Sequence, residues 1–401
     1  MLKYLKIYKK YLIFLIVIPM FFGLFSSYMH KAPKRNYCDF RVYYATAQRF
    51  LEKADIYSRP DMTITPYKYS PFFAFIISFL ALFPIREAAI IFFILNFFCM
   101  LFMFYLASRL VVKEKFSFSK NILLYFLTAL FTMRFLLQVL NQGQVTILMC
   151  LAILLGIYFE KAKKEILSAI FFAASVMIKY TSFVFIPYLL FKKKFKLVFF
   201  IFLFISLFLI LPSFYVGVKK QIYYLKKWLP FISQTSLDKS SLYDFKNQSL
   251  ISLILRYFTN QTPYKTKILN FTFMEGLVIS IIIGILIYIL ILLKPSHQDI
   301  DFALLMIFMA LFNPNSWITN YTFLIFGYMI VIYWLIKNNF SDKFILSLTF
   351  LSFILASWTS QTIVGNRLEN LFEEFSSVTI SGLLSLLSLF KLKFNFKNKN
   401  V

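Results

Sequence analysis

Leu277 to Leu293 reads LVISIIIGILIYILILL, seventeen consecutive residues without a charge. A helix needs about 20 apolar residues to cross a hydrocarbon layer of ~30 Å, so this stretch is nearly long enough by itself. Outward from it the pattern recurs at Tyr11–Phe22, Ile90–Phe104, Leu197–Leu211 and Tyr321–Ile336, all free of charge. Only helices and closed barrels satisfy the backbone inside a bilayer. None of these runs alternates apolar and polar residues as barrel strands do. The expected fold class is therefore an all-α polytopic membrane protein, a single integral membrane domain over residues 1–401.

Composition agrees. Sixty per cent of the chain is hydrophobic, 15% is charged, and the mean hydropathy is +0.74; ordinary soluble domains carry about 25% charged residues. The net charge of +26 does not imply nucleic acid, because the basic residues sit in short clusters between apolar runs. Clusters at 3–10, 113–120, 161–164, 192–196, 337–343 and 391–399, with Lys294, mark one side of the membrane. By the excess of Lys and Arg in cytoplasmic loops that side is the cytoplasm.

Twelve spans satisfy this condition, near 11–29, 86–112, 121–138, 145–159, 166–178, 180–191, 197–214, 273–293, 301–312, 319–336, 344–358 and 377–390. Both termini then lie inside. Large external loops occupy 30–85 and 215–272, with smaller ones at 139–144, 313–318 and 359–376. Pro71–Pro84 is apolar but only about 14 residues long, which suits a re-entrant or juxtamembrane helix. The first apolar run follows Lys3, Lys6, Lys9 and Lys10 without an A-x-A cleavage site, so it reads as an uncleaved first span. Cys38, Cys99 and Cys150 have no metal-binding or disulfide spacing.

The polar residues stand out on the external side. After the first span, Phe40, Tyr43, Tyr44, Ala47, Phe50 and Leu51 recur at helical spacing, opposite Arg41, Gln48, Arg49 and Glu52. Such a helix lies flat at the interface. Asp39 at its start reads either as an N-cap or as a general base whose pKa is raised by partial desolvation. Tyr57, Tyr67 and Tyr69 read as interfacial anchors. Asn141, Gln142, Gly143 and Gln144 form an amide-rich turn that either ends a helix or binds sugar hydroxyls. Lys179, a lone cation in more than twenty mostly apolar residues, calls for a partner such as a lipid phosphate. Further on come Asn247, Gln248, Ser249 and Leu250, then Arg256, and later Pro314, Asn315, Ser316, Trp317 and Asn320. The two histidines, His30 and His297, lie far apart, so neither a histidine metal site nor a Ser-His-Asp triad is expected. No nucleotide-binding glycine motif is present.

Taken in order, Asp39–Tyr44, Tyr69–Pro84, Gly143–Gln144, Lys179, Asn247–Leu250 with Arg256, and Pro314–Trp317 resemble glycosyltransferase family 87 over residues 1–340. The resemblance implies a GT-C-like fold, about twelve transmembrane helices with external juxtamembrane helices. It implies an inverting transferase that moves a sugar, commonly mannose, from a polyprenyl-phosphate donor to a glycolipid or glycan acceptor at the outer face of the cytoplasmic membrane. Membrane lipids are the remaining partners; no cofactor and no metal are implied. By the same resemblance Asp39 is the catalytic base, and Lys179 and Arg256 are the donor-phosphate ligands. Tyr43, Tyr69, Asn141, Gln144, Asn247, Gln248, Trp317 and Asn320 are the candidate sugar or acceptor contacts. Where family members often carry His, this chain has Thr319 and Asn320, and an amide does not shuttle protons. A transporter or flippase of a lipid-linked substrate is the alternative, although nine glycines are few for a fold of inverted repeats and broken helices.

Overall fold

The computed structural model describes residues 2–58, 65–112, 121–264, 267–293 and 297–395. Over these residues the chain is helical, with one isolated bridge between Thr259 and Phe271 and no strand. Helix α1 (Leu2–Lys31) leads through a tight turn into α2 (Cys38–Leu51), which buries Phe40, Tyr43, Ala47 and Phe50 on one face. That is the helical periodicity expected from the sequence, with the apolar face packed against the protein. Helix α3 (Pro71–Ile77) starts where the Ser70 hydroxyl accepts the Phe73 amide and Pro71 takes the first helical position. A 3-10 turn prolongs it to Leu82. At about 1.5 Å per residue this piece is roughly 18 Å long, too short to cross a bilayer.

Helices α4 (Ile85–Val111), α5 (Ile122–Gln142) and α6 (Thr146–Lys161) follow. Then α7 (Glu165–Ile178) breaks at Lys179, and a 3-10 turn over Tyr180–Val184 leads to α8 (Phe185–Phe191). Pro187 falls in the first turn of α8, where a missing N–H is harmless. Helices α9 (Phe195–Ile210) and α10 (Ser213–Val216) form one apolar rod, followed by amphipathic α11 (Val218–Ser236) and two short helices, α12 (Lys239–Tyr243) and α13 (Leu250–Phe258). Helix α14 (Phe273–Leu292) opens with a reciprocal cap between Thr272 and Glu275. After α15 (Gln298–Phe312), a second 3-10 turn at Ile318–Phe323 enters α16 (Leu324–Lys337). Helix α17 (Lys343–Phe353) ends in a π-helical turn to Trp358. Helix α18 (Gln361–Glu374) bends away from it by 92°, and α19 (Ser377–Asn395) closes the chain.

Among the described residues, six helical segments are long and apolar enough to cross a membrane: Ile85–Val111, Ile122–Gln142, Phe195–Val216, Phe273–Leu292, Ile318–Lys337 and Ser377–Phe394. The bent pair α17 and α18 makes a seventh if it counts as one span. The pieces 165–178 and 180–191 are apolar but short. Burial separates helices that hydropathy alone leaves alike. Ile318–Lys337 is 89% buried and forms the centre of the bundle, whereas Phe273–Leu292 is 22% buried and lies at its rim.

Lysines of the clusters at 161–164, 192–196 and 391–399 meet acidic residues at one end of the bundle, and there they do more than mark orientation. Lys161 pairs with Asp299 at 2.8 Å, Lys194 with Glu160 at 2.8 Å, and Lys192 and Lys393 both with Asp301, at 3.2 and 2.6 Å. Lys391 pairs with Asp342 at 3.0 Å. The fully buried carboxylate of Asp301 would be strongly unfavourable without these partners. The cluster at 113–120 and Lys294 lie outside the described residues.

Candidate active site

Three consecutive residues, Asn36, Tyr37 and Cys38, hold positive φ of 51°, 57° and 47°. L-residues rarely adopt that region, at a cost of about 1–3 kcal/mol each, and such strain concentrates where a fold must aim a side chain. The turn delivers Asp39 as the second residue of α2. Asp39 is therefore not the N-cap that the sequence allowed. Tyr37 takes that position, without a side-chain cap bond. The carboxylate stays half-buried in the first turn, a placement the helix dipole favours.

Its first partner comes from the amide-rich turn after α5. Gly143 ends that helix at φ +64°, and a Cβ there would stand 2.7 Å from the Cβ of Phe40. Glycine is thus required twice over, by conformation and by the approach of α2. The turn carries Gln144 to α2, where its Nε2 donates to the Asp39 carboxylate. The Gln144 Oε1 accepts from the Tyr43 hydroxyl at 3.1 Å, and the Tyr43 and Tyr69 hydroxyls lie 2.8 Å apart. Asp39, Gln144, Tyr43 and Tyr69 form one hydrogen-bonded chain. Burial pushes both phenols up, so they remain protonated donors.

The break between α7 and α8 joins this chain from the other side. The Ser70 hydroxyl donates to the Met177 carbonyl, tying the first loop to the end of α7. Two residues on, Lys179 is extended at φ −150° and ψ 122°, and its Nζ donates to the Asn320 Oδ1 at 3.1 Å. Asn320 sits in the 3-10 turn before α16 and is buried, with its amide nitrogen 3.2 Å from the Asn315 carbonyl. It supplies Lys179 with a neutral acceptor, so the opposing charge on the ammonium comes from the Asp39 carboxylate and not from a direct ion-pair partner among the described residues.

A second cation was missed by sequence reasoning. Lys68 lies between Tyr67 and Tyr69, and its carbonyl accepts the Trp228 indole N–H at 3.4 Å. The only sequence signal was its place between two aromatic residues that read as anchors. Burial pushes the Asp39 carboxyl up, opposed by the Gln144 hydrogen bond and by the positive charges of Lys179 and Lys68. Burial likewise pushes Lys68 down, opposed by Asp238 and Asp39. The site is thus a strained, half-buried carboxylate beside two lysines.

The remaining candidates divide. Asn141, in the last turn of α5, and Trp317, just before the second 3-10 turn, are half-buried near these groups in sequence. Asn247 instead donates to the carbonyls of Ser241 and Pro314, at 2.9 and 2.7 Å, and accepts the amides of Ser249 and Ser316, both at 3.1 Å. Gln248 donates to the carbonyls of Phe245 and Glu373, at 2.7 and 2.8 Å. Arg256 is wholly buried. Its Nη1 reaches the carbonyls of Asp244 and Asn247 and the Ser252 hydroxyl, at 2.7, 2.9 and 2.8 Å, and its Nη2 reaches the Ser376 hydroxyl at 2.6 Å. A guanidinium so engaged pins the second loop through both Nη atoms, while its Nε is buried without a hydrogen-bond partner among the described residues. These three residues form a knot that buttresses the turn carrying Asn320.

Another buried cation, Arg134 on α5, also passed unnoticed in the sequence. It is held by Glu369 at 2.9 Å, Glu373 at 3.4 Å, the Ala356 carbonyl at 3.0 Å and the Thr359 hydroxyl at 2.9 Å. It clamps α18 at its bend. Among the described residues no group of three His, Cys, Asp or Glu side chains converges to hold a metal ion.

The model of glycosyltransferase family 87 matches residues 67–314, more than half of the chain. That span includes Lys68, Tyr69, Gln144, Lys179 and Arg256 and leaves Asp39 and Asn320 outside. No similar curated protein and no similar solved structure was found.

Proposed function

Since the chain belongs to glycosyltransferase family 87, we propose that it is an inverting transferase that moves a sugar, mannose first among the candidates, from polyprenyl phosphate to a glycolipid or glycan. In this reading the fold is GT-C-like with about twelve crossings. Residues 30–85 and 215–272 lie at the outer face of the cytoplasmic membrane, and both termini are cytoplasmic.

The observation that supports the reading best is the placement of Asp39 against Gln144, with the positive charges of Lys68 and Lys179 both acting on its carboxylate. Transfer needs a base and a cation. The acceptor hydroxyl gives its proton to the Asp39 carboxylate while its oxygen forms the new bond to the anomeric carbon. The bond from that carbon to the phosphate oxygen breaks, and the electron pair leaves with polyprenyl phosphate. Attack from the face opposite the phosphate inverts configuration. A positioned base of this kind contributes about 10² to 10⁴ in rate, and its raised pKa suits the task. The leaving phosphate gains a negative charge, which Lys179 and Lys68 stabilise in a low-dielectric site where such interactions are strong. Arg256 has no part in this step. Tyr43 and Gln144 orient the carboxylate, and Tyr69, Asn141, Trp317 and Asn320 line the approach of the sugars.

The test is transfer of labelled mannose from polyprenyl-phosphate mannose into lipid or glycan by nanodiscs carrying the full chain. Label is expected in a new glycosidic product with wild type and not with Asp39→Asn. Undiminished transfer by the variant overturns the role of Asp39. Movement of the donor across the bilayer without bond formation overturns the transferase reading. Transfer from a donor carrying a different sugar changes the sugar and keeps the reaction.

A further inference from the structure

Helix α11 carries a basic and apolar surface that no part of the described chain covers. At about 100° per residue, Val218, Ile222 and Leu229 fall within roughly 40° of one another on its wheel. All three are exposed, Val218 at 65% and Leu229 at 62%, and the preceding Phe214 is 84% exposed. Gln221, Tyr224 and Trp228 are buried against the protein, about 110° to one side of that stripe. On the other side, about 70° away, stand Lys219 and Lys226.

The lysines of this helix have two different situations. Lys227 pairs with Asp55 and lies 4.8 Å over the Tyr223 ring, and Lys220 lies 4.9 and 5.5 Å over Tyr223 and Tyr224. Lys219 and Lys226 have no ion pair or hydrogen bond among the described residues. They are the two that border the apolar stripe. An open cavity of about 570 Å³ at the start of the helix is lined by Val216, Gly217, Val218, Lys219, Lys220 and Tyr223.

We propose that α11 lies in the membrane surface on the Asp39 side, with Val218, Ile222 and Leu229 in the acyl region and Lys219 and Lys226 on anionic phospholipid headgroups. A helix dipping an apolar stripe beneath a row of lysines is the arrangement that a charged interface selects. An aqueous setting would leave three large aliphatic side chains and Phe214 in water. A purely apolar setting would strand the two lysines.

The same helix holds the loop that carries Lys68. The Tyr224 hydroxyl donates to the Ala54 carbonyl at 2.5 Å and the Trp228 indole to the Lys68 carbonyl, and from the preceding α10 the Tyr215 hydroxyl donates to the Leu51 carbonyl at 2.9 Å. Headgroup binding by α11 thereby steadies one of the two cations beside Asp39. The lipid site itself does not depend on the transferase reading.

The experiment uses full-length protein in nanodiscs and needs no substrate. Leu229→Trp is exposed and tolerates the larger ring; its added fluorescence over wild type is expected to be quenched by lipids brominated on the acyl chain and shielded from aqueous acrylamide. In native mass spectrometry, wild type is expected to retain phosphatidylglycerol in preference to phosphatidylcholine. The Lys219→Gln, Lys226→Gln double variant is expected to lose that preference about tenfold with phosphatidylcholine binding unchanged. Exposure of the new tryptophan to acrylamide without bromine quenching overturns the proposal, as does an unchanged preference in the double variant. Equal competition by inorganic phosphate at the same concentration assigns the lysines to a free anion and also overturns it.

Discussion

Two polar regions share the end of the bundle opposite the paired lysine clusters, and they spend their hydrogen-bonding capacity in opposite ways. In the knot of the second loop, Asn247, Gln248 and Arg256 give their side chains to backbone carbonyls, amides and hydroxyls of the protein. Around Asp39 the groups are held at one point each. Among the described residues Asp39 is held by Gln144, Lys179 has Asn320, and Lys68 is bonded only through its backbone. The difference teaches that a polar residue in an apolar chain marks either a joint or a site. What separates the two is whether charge is left over after the internal bonds are made. The regions are also connected, because Asn247 accepts the Ser316 amide in the turn that carries Asn320 to Lys179. One region supports the other.

The comparison predicts a ranking of effects. Asp39→Asn should lower kcat by about 10² to 10⁴ with normal membrane insertion, measured as transfer per folded protein. A mild loss would mean the leftover charge at Asp39 is not the reacting one. Lys179→Gln should reduce transfer by about 10², the range seen when one stabiliser of developing charge is removed. Lys68→Gln should cost less, since its side chain has no hydrogen-bond partner among the described residues. If Lys68→Gln proves the more damaging, the second cation and not the first stands nearest the phosphate.

Arg256→Met should behave as a joint does. Removing the donor leaves the carbonyls of Asp244 and Asn247 buried without it, a loss of about 2 to 4 kcal/mol in stability. Thermal unfolding in detergent would show it, with transfer per folded molecule within about threefold of wild type. A stably folded Arg256→Met with a raised KM for the donor would break the comparison outright. The smallest effect concerns pH. Because burial raises the Asp39 pKa, the acid limb of the kcat/KM profile should lie above the usual carboxylate range, activity rising as pH increases through it. Gln144→Leu removes a hydrogen bond that favours the charged form, so the limb should move to still higher pH. A limb that stays in place would show that Gln144 does not tune this carboxylate.

Much of this was legible in the chain. Asp39, Gln144 and Lys179 were identifiable one by one, since each interrupts an apolar context, and Pro71–Pro84 was too short to span on length alone. Lys68 was hidden because tyrosines on both sides made it look like an interfacial anchor. Arg134 was hidden within a run that still passes as apolar, its carboxylate partners lying more than two hundred residues away. The lysine clusters read as markers of orientation, but their pairing with Asp299, Asp301 and Glu160 depends on where α15 and α6 pack.

The sequence by itself determined that the protein is helical and belongs in a membrane, because charge-free runs of this length have no other stable setting. It also determined which rare polar residues needed an explanation. Only the tertiary structure decided what the explanation was. Arg256 and Lys179 look alike as lone cations in apolar surroundings, and what distinguishes them is the count of acceptors within reach, a property of the folded neighbourhood. Four acceptors close around Arg256, and one neutral amide meets Lys179 beside Asp39.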